Sequence, residues 1–316
     1  MFDHTPVLLE ESVKSLEIKP DGIYVDCTMG GGGHSRAIAE RLTVGKANGK
    51  LICIDRDMDA IKNARVEMKH YIENNTIFII HSNFSNIKDI LQNLKIDKVD
   101  GILMDLGVSS YQLDTAERGF SYQHDAPLDM RMSQSDELTA YDIVNTYDRY
   151  ELSKIISAYG EERYAMNIAN RIDRTRSVKP IESTCELADI ITGAIPSFNR
   201  RKSKHHPAKR TFQAIRIAVN DELNILKKAV TDSVECLNKD GIIAVITFHS
   251  LEDRIIKEVF NDMSRDCVCP PSFPTCICDA EAIVDIKKRK AIEPSESELE
   301  VNPRARSARL RTAKKL

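Results

Sequence analysis

The chain has 316 residues, a formal net charge of −3, 42% hydrophobic residues, 29% charged residues and no tryptophan. This length favours two domains, and the apolar content excludes a disordered chain. The apolar runs are far shorter than the roughly 20 residues that span a bilayer, and no signal peptide is visible. We therefore expect a soluble cytoplasmic protein with no membrane partner, and the near-zero net charge by itself argues against a nucleic-acid partner.

Residues 22–106 alternate short apolar runs with longer segments of helical periodicity. The predicted elements in chain order are strand 22–27, helix 34–42, strand 51–55, helix 57–71, strand 77–80, helix 87–94 and strand 99–106. Apolar strands separated by helices indicate a parallel sheet that is covered on both faces. The sequence thus predicts a doubly wound α/β domain.

The alternation stops after residue 110. Residues 111–207 contain no strand-like run, and helical periodicity marks residues 140–157, 163–174 and 184–195. A long amphipathic helix is then predicted from Thr211 to Leu237, followed by a buried strand over residues 241–248. We therefore predict an all-helical domain, residues 111–207, inserted into an α/β domain formed by residues 1–110 and 208–316.

Four consecutive glycines, residues 30–33, connect the first predicted strand to the first helix. Glycine lets the backbone turn tightly and approach a ligand at a helix N-terminus, which favours anionic groups. Ser35 stands where the dinucleotide pattern Gly-x-Gly-x-x-Gly has its last glycine. The loop therefore indicates a nucleotide-like cofactor without identifying it.

Three further side chains follow predicted strands and are expected at the same edge of the sheet. Asp55 ends the second strand, about where a carboxylate that binds ribose hydroxyls is expected. Phe84 follows the third strand, where its ring either contacts an adenine or fills the core. Asp105 ends the fourth strand. S-adenosylmethionine suits this set, whereas NAD needs a complete glycine pattern for its pyrophosphate; these residues alone leave both open.

Longer motifs resemble the bacterial 16S ribosomal RNA cytosine-N4 methyltransferases (the ribosomal RNA small subunit methyltransferase H family), with matches from residue 4 to residue 307. The matching segments are residues 4–9, 26–28, 32–35, 55–57, 105–110, 112–114, 117–121, 127–132, 210–216, 248–254 and 302–307. Tyr111 stands where this family usually has proline.

The resemblance implies a Rossmann-like class I methyltransferase fold and a helical insert that recognises RNA. It also implies that the product is N4-methylcytidine in the decoding centre of 16S ribosomal RNA, within the small ribosomal subunit. The residues implied to hold S-adenosylmethionine are Gly32, Gly33, His34, Asp55, Phe84, Asp105 and Gln112.

The chemistry of an exocyclic amine suggests a catalytic group. The lone pair of the cytosine amino group is delocalised into the ring, so transfer needs an acceptor that hydrogen-bonds the amine and receives its proton. By analogy with amino methyltransferases, the candidates are Asp105 and a backbone carbonyl of residues 106–110. Methylation at carbon 5 would instead need a cysteine nucleophile, and the nearest, Cys27, lies in the predicted cofactor loop.

The eight cysteines fall into two groups. Four lie in apolar or helical segments, where reduced core thiols are expected: Cys27, Cys53, Cys185 and Cys236. The others form two Cys-x-Cys pairs around a proline-rich segment: Cys267, Cys269, Cys276 and Cys278. A structural zinc ion, reduced thiols and a redox pair all remain open for this loop.

Two runs of basic residues that contain no acidic residue change the inference that the net charge argues against a nucleic-acid partner. The first comprises Arg200, Arg201, Lys202, Lys204, Lys209, Arg210 and Arg216; the second comprises Arg304, Arg306, Arg309, Arg311, Lys314 and Lys315. Such runs suggest contacts to RNA phosphates rather than a solvated face. The competing hypotheses are a non-catalytic RNA-binding ribosome-assembly factor and, less favoured, an NAD-dependent oxidoreductase.

Two more motifs have structural interpretations. Ser250 with Asp253 three residues later indicates a helix capping box rather than a catalytic cluster. Residues 117–121 and 127–132 either cover a substrate or attach the insert to the sheet, and the sequence does not decide between these roles.

Overall fold

A computed structural model of the chain describes residues 6–45, 48–202, 206–267, 269, 278 and 280–316. It divides into two compact units. Unit 1 comprises Met1–Gly107 and Leu223–Leu316, and unit 2 comprises Val108–Glu222. Among the described residues, no helix is both long and apolar enough to cross a membrane.

The first part of unit 1 alternates strands and helices. Its elements are α1 (Leu9–Ser15), β1 (Ile23–Asp26), α2 (Gly33–Leu42), β2 (Lys50–Asp55), α3 (Met58–Glu67), α4 (Lys69–Glu73), β3 (Ile77–His81), α5 (Ile87–Asn93) and β4 (Val99–Asp105). Unit 2 follows with α6 (Ser110–Asp114), α7 (Ala140–Thr146), α8 (Arg149–Gly160), α9 (Ala165–Arg176), α10 (Thr184–Ala194), α11 (Ser197–Lys202) and α12 (Lys209–Asn220). Unit 1 then resumes with α13 (Leu226–Glu235), β5 (Leu237–Thr247), α14 (Ser250–Met263), β6 (Val284–Asp285), α15 (Glu296–Val301) and β7 (Arg309–Lys315).

The strands of unit 1 form one sheet in the order β3-β2-β1-β4-β5-β7-β6. The neighbours from β3 to β5 are all parallel, whereas β7 is antiparallel to both β5 and β6. The predicted mostly parallel, doubly wound sheet is therefore confirmed. The strand order reverses between β1 and β4, and ligands of open α/β sheets bind outside the carboxyl ends of strands at such a point.

Helices cover both faces of the sheet because successive side chains of a strand point to opposite faces. Along β4, Ile102 and Met104 lie in one buried cluster with residues of α5, α13 and α14. Leu103, between them, lies in a second cluster with residues of α1, α2 and α3. This arrangement explains why the strands read as unbroken apolar runs.

Several element predictions were wrong in extent. The helix predicted from Thr211 to Leu237 is two helices, because the backbone at Asp221 turns into the left-handed region with φ 52°. The predicted helix 140–157 is also two helices, since Asp148 caps α8 in a reciprocal pair with Glu151. Helix 57–71 divides at Met68, and β7 was not predicted.

Unit 2 has its own buried core, to which α7, α8, α9, α10 and α12 all contribute. The structure groups α12 with this unit, although the sequence placed the return to the α/β domain at residue 208. An amphipathic helix exposes one face in either setting, so its periodicity does not show which core it covers.

The segments 117–121 and 127–132 bind each other within unit 2. The Arg118 guanidinium donates hydrogen bonds of 2.9 Å to the carbonyl oxygens of Arg131 and Met132. The Asn220 side chain, from the end of α12, accepts from Met132 N and donates to the carbonyl of Met130, both at 2.7 Å. Packing inside the insert thus accounts for these motifs, while a role over substrate stays a prediction.

Candidate functional site

The glycine loop lies at the carboxyl end of β1 and is held by β2. Met29 N donates to the Ile54 carbonyl at 3.1 Å, and Gly30 N donates to Asp55 Oδ2 at 2.7 Å. Gly32 caps α2 with φ 79°, and a Cβ there would lie 3.3 Å from Met68 Cε. A side chain at residue 32 would therefore strain both the backbone and its packing.

The Asp55 carboxylate accepts a hydrogen bond from the glycine loop and can still accept further hydrogen bonds. Its Oδ2 accepts from Gly30 N and its Oδ1 accepts from Asp57 N at 2.8 Å, and each carboxylate oxygen can accept a second hydrogen bond. Asp57, not Asp55, caps α3 by accepting from Asp59 N. Burial raises the pKa of Asp55 to about 6, against the lowering effect of those two amide donors.

Asp26, at the end of β1, belongs to the same edge but was not among the predicted site residues. It is fully buried and accepts from Ser35 Oγ at 2.6 Å and from Thr28 N at 3.1 Å. Burial raises the pKa of Asp26 to about 6, although both donors lower it. Its position at a strand end, like that of Asp55 and Asp105, was the sequence signal available.

Asp105, at the end of β4, carries an unsatisfied acceptor. Its backbone N donates to Thr28 Oγ1 at 2.6 Å. Within the described part of the chain, its buried Oδ1 has no hydrogen-bond partner. Burial, followed by the charges of Asp26 and Glu252, raises the pKa of Asp105 well above its ordinary value.

His34 connects the helix α2 to Asp105. Its Nε2 lies 3.1 Å from the Val7 carbonyl oxygen, and because that oxygen can only accept, Nε2 is the donor. The other ring nitrogen, Nδ1, faces Asp105 Oδ2 at 3.7 Å. The His34 ring therefore lies between the Val7 carbonyl and the Asp105 carboxylate.

Phe84 and Gln112 are the two remaining predicted site residues, and they lie in different elements. Phe84 begins a 3-10 turn just after β3 and packs, half-buried, against the α5 side of the sheet. Gln112 lies in unit 2, where its Oε1 accepts from Ser109 N at 3.0 Å in the capping box of α6. Tyr111 occupies the first turn of that helix, a position that also tolerates proline.

The motif at residues 249–253 caps a helix, but not with the predicted residues. His249 is the N-cap of α14 and pairs reciprocally with Glu252, which is buried and also accepts from Phe248 N at 2.8 Å. Asp253 instead accepts from Arg311 at 2.7 Å and 3.0 Å and from Arg309 at 3.1 Å. The prediction of a box from Ser250 to Asp253 was therefore wrong.

These contacts also correct the hypothesis that the C-terminal basic run as a whole contacts phosphates. Arg309, Arg311 and Lys314 lie on β7, and the first two share the single carboxylate of Asp253 in ion pairs. Lys314 pairs with Asp240 at 2.8 Å. These three side chains are engaged in the folded protein and stabilise the attachment of β7.

The basic run of the insert, the first of the two runs, contains side chains in three different situations. Arg216 pairs with Glu222 through two hydrogen bonds of 2.8 Å and 2.9 Å within unit 2, and a phosphate contact for this side chain stays a prediction. Lys209 and Arg210 are exposed in the first turn of α12. Lys204 and the side chains of residues 200–202 lie outside the described residues.

Comparison with known proteins gives consistent results. The sequence model of the MraW methylase family matches residues 1–316. A protein of Clostridium botulinum (strain Kyoto / Type A2), named ribosomal RNA small subunit methyltransferase H, is 56% identical over 100% of this chain and 99% of its own length. Proteins of the same name from Brevibacillus brevis and Finegoldia magna are 55% and 52% identical, covering 98% and 99% of their lengths and all of this chain.

Solved structures are more distant. An rRNA methylase from Streptococcus thermophilus aligns over 98% of this chain and 93% of that chain, with a TM-score of 0.43 and 9% identity. NSun6 from Pyrococcus horikoshii with SFG aligns over 99% of this chain and 53% of that chain, with a TM-score of 0.44 and 11% identity. At these scores, the sheet topology itself is the stronger evidence for the fold.

Proposed function

The chain belongs to the MraW methylase family, and we propose that it methylates small-subunit ribosomal RNA with S-adenosylmethionine as methyl donor. The names of its relatives supply the substrate class. The observation that carries the proposal is the convergence of the glycine loop, Asp55 and Asp105 at the ends of β1, β2 and β4. The acceptor we propose is the N4 amino group of a cytidine in the decoding centre of 16S RNA, as the motif resemblance implies.

The groups at this edge fit S-adenosylmethionine. Asp55 has acceptor capacity for both ribose hydroxyls, and Phe84 offers an apolar ring to adenine. We assign Gly32 and Gly33, at the N-terminus of α2, to the carboxylate of the ligand. The unsatisfied Oδ1 of Asp105 matches an ammonium group. We keep His34 and Gln112 as further binding residues on the resemblance of their motifs, His34 acting through Asp105.

The cofactor supplies a methyl group bonded to a positively charged sulfur. We assign to Asp105 the task of accepting a hydrogen bond from the cytosine amine and then its proton. A carboxylate whose pKa burial raises is a stronger base toward that proton than an exposed one. His34 Nδ1 faces Asp105 Oδ2 at 3.7 Å, so we assign this histidine a positioning role beside the carboxylate.

Attack by a cysteine on carbon 6, as carbon-5 methylation requires, is disfavoured at this edge. Cys27 and Cys53 are both buried, and burial followed by the charge of Asp26 raises the pKa of each thiol well above its ordinary value. A thiol that stays protonated is a poor nucleophile. This supports nitrogen as the acceptor.

Unit 2 is the RNA-recognition part of the proposal. The first turn of α12 exposes Lys209 and Arg210, and the acid-free run continues toward residue 200 in the sequence. Phosphates attract such clusters without regard to base sequence. Replacing Lys209 by Ala should weaken RNA binding and lower its salt dependence while leaving cofactor affinity unchanged; equal RNA affinity at low salt would contradict this role.

The decisive experiment uses small ribosomal subunits from cells that lack this protein. Purified protein and S-adenosylmethionine should add one methyl group, recovered as N4-methylcytidine by mass spectrometry of the digested RNA. Recovery of 5-methylcytidine, or of no methylated nucleoside, would refute the assigned acceptor. Asp105→Asn separates its two roles: a lost base lowers kcat with cofactor affinity kept, whereas a lost ammonium ligand weakens cofactor binding.

A further inference from the structure

The paired cysteines after α14 form a cluster that methyl transfer does not use. The structure describes Cys267, Cys269 and Cys278, while Cys276 lies outside the described residues. The three Sγ atoms all lie within 4.8 Å of one another. The segment leads into β6, which is the edge strand of the sheet on the far side of β5 and β7 from β1 and β2. The cluster is therefore separate from the proposed cofactor site.

The spacing of the sulfur atoms distinguishes two kinds of cross-link. Sγ of Cys267 lies 3.9 Å from Sγ of Cys278, whereas two sulfurs in a disulfide are about 2.0 Å apart. Thiolates that lie about 2.3 Å from one tetrahedral zinc ion are about 3.8 Å from each other. The observed separation matches that of two ligands of one metal ion, and it is also the length of a thiol–thiol hydrogen bond between these two side chains.

The segment also has a reason to need a cross-link. Ile283 N donates to the Met263 carbonyl at 2.7 Å, and Val284 pairs with Lys315 on β7. These contacts bring the two ends of the segment 264–282 together at the sheet. Cys267 is exposed and Cys269 and Cys278 are half-buried, so apolar burial contributes little to holding these three positions together. Positions that apolar packing does not hold are commonly stabilised by a bound metal.

We propose that Cys267, Cys269 and Cys278 bind one thiophilic divalent cation of the zinc class, which closes the segment between α14 and β6. The ligands are thiolates, so binding releases protons and the site favours soft over hard cations. The ion has a structural role, because methyl transfer from a sulfonium requires no metal.

The test measures metal in the full-length protein, purified without chelator and with a non-thiol reductant. Wild-type protein should hold about one zinc ion per chain by mass spectrometry, and cobalt(II) should replace it with the absorption bands of tetrahedral thiolate coordination. X-ray absorption at the zinc edge should report three or four sulfur ligands. Metal below about a tenth of an equivalent without cobalt bands, or fewer than three sulfurs, overturns the proposal.

Matched variants assign the ligands. Cys267→Ser and Cys278→Ser should each lower metal affinity at least about tenfold, whereas Cys185→Ser, a half-buried cysteine of α10, should retain the wild-type content. Circular dichroism checks that each variant is folded. Full metal content in both loop variants refutes the assignment.

Discussion

The buried carboxylate of Asp26 should make the unfolding free energy depend on pH in a way that one substitution removes. Its pKa is raised from 3.8 to about 6, chiefly by burial, so the folded protein binds a proton that the unfolded chain has released. The resulting stability is complete below about pH 4 and is lost as pH rises through about 6. For a fully buried group, this shift corresponds to about 3 kcal/mol.

Asn is the appropriate replacement because it preserves the contacts. In Asp26→Asn, the amide oxygen still accepts from Thr28 N, and the amide nitrogen donates to Ser35 Oγ in place of accepting from it. Relative to wild type, the variant should gain about 1.4 kcal/mol of stability between about pH 5 and about pH 7.5. Taking the difference between the effects of the substitution at the two pH values cancels the pH-independent change in hydrogen bonding. The Asp26 charge also raises the pKa values of Asp55 and Asp105, so its removal acts in the same direction.

The assay is urea denaturation of both proteins at the two pH values, followed by circular dichroism. Asp232→Asn is the matched control, since Asp232 is also buried but pairs with Lys88 and Lys228. Burial opposes ionisation there, yet the two ammonium groups lower the pKa of Asp232. The substitution Asp232→Asn should therefore change the free energy of unfolding equally at both pH values. An equal effect of Asp26→Asn at both values, or a loss of stability that grows with pH, would refute the reasoning.

Three further outcomes are expected. Asp55→Ala should raise the Kd for S-adenosylmethionine about tenfold or more. The affinity of the wild-type protein should also fall as pH drops below about 6, where Asp55 becomes protonated. Calorimetry that gives a constant wild-type Kd between about pH 5 and pH 8 would contradict this pH dependence. Asp253→Asn should destabilise the protein by about 1–2 kcal/mol at neutral pH. Arg311 and Arg309 lower the pKa of Asp253 against the effect of burial. Urea denaturation should therefore show this loss of stability shrinking as pH falls below about 4. Asn220→Ala removes two buried hydrogen bonds of unit 2 and should lower the free energy of unfolding by about 2–3 kcal/mol, with no change in cofactor affinity.

The sequence by itself determined the class of fold and the edge of the sheet that carries the candidate site. Strand and helix periodicities are local properties, and apolar strands separated by helices have essentially one arrangement, a parallel sheet covered on both faces. Asp55 and Asp105 were found from the sequence because they end predicted strands, and parallel strands bring those ends to one edge. The glycine loop was visible for the same reason, since only a tight turn between strand and helix needs consecutive glycines there.

Tertiary structure decided what those side chains and the charged runs do. Arg311 appeared to be part of an RNA-binding run until β7 placed it against Asp253, on a helix far away in sequence. Likewise, the raised pKa of Asp26 and the meeting of Cys267 with Cys278 arise from contacts that no local pattern encodes. Ionisation and ion pairing depend on burial and on distance in space, whereas a sequence reports only order along the chain.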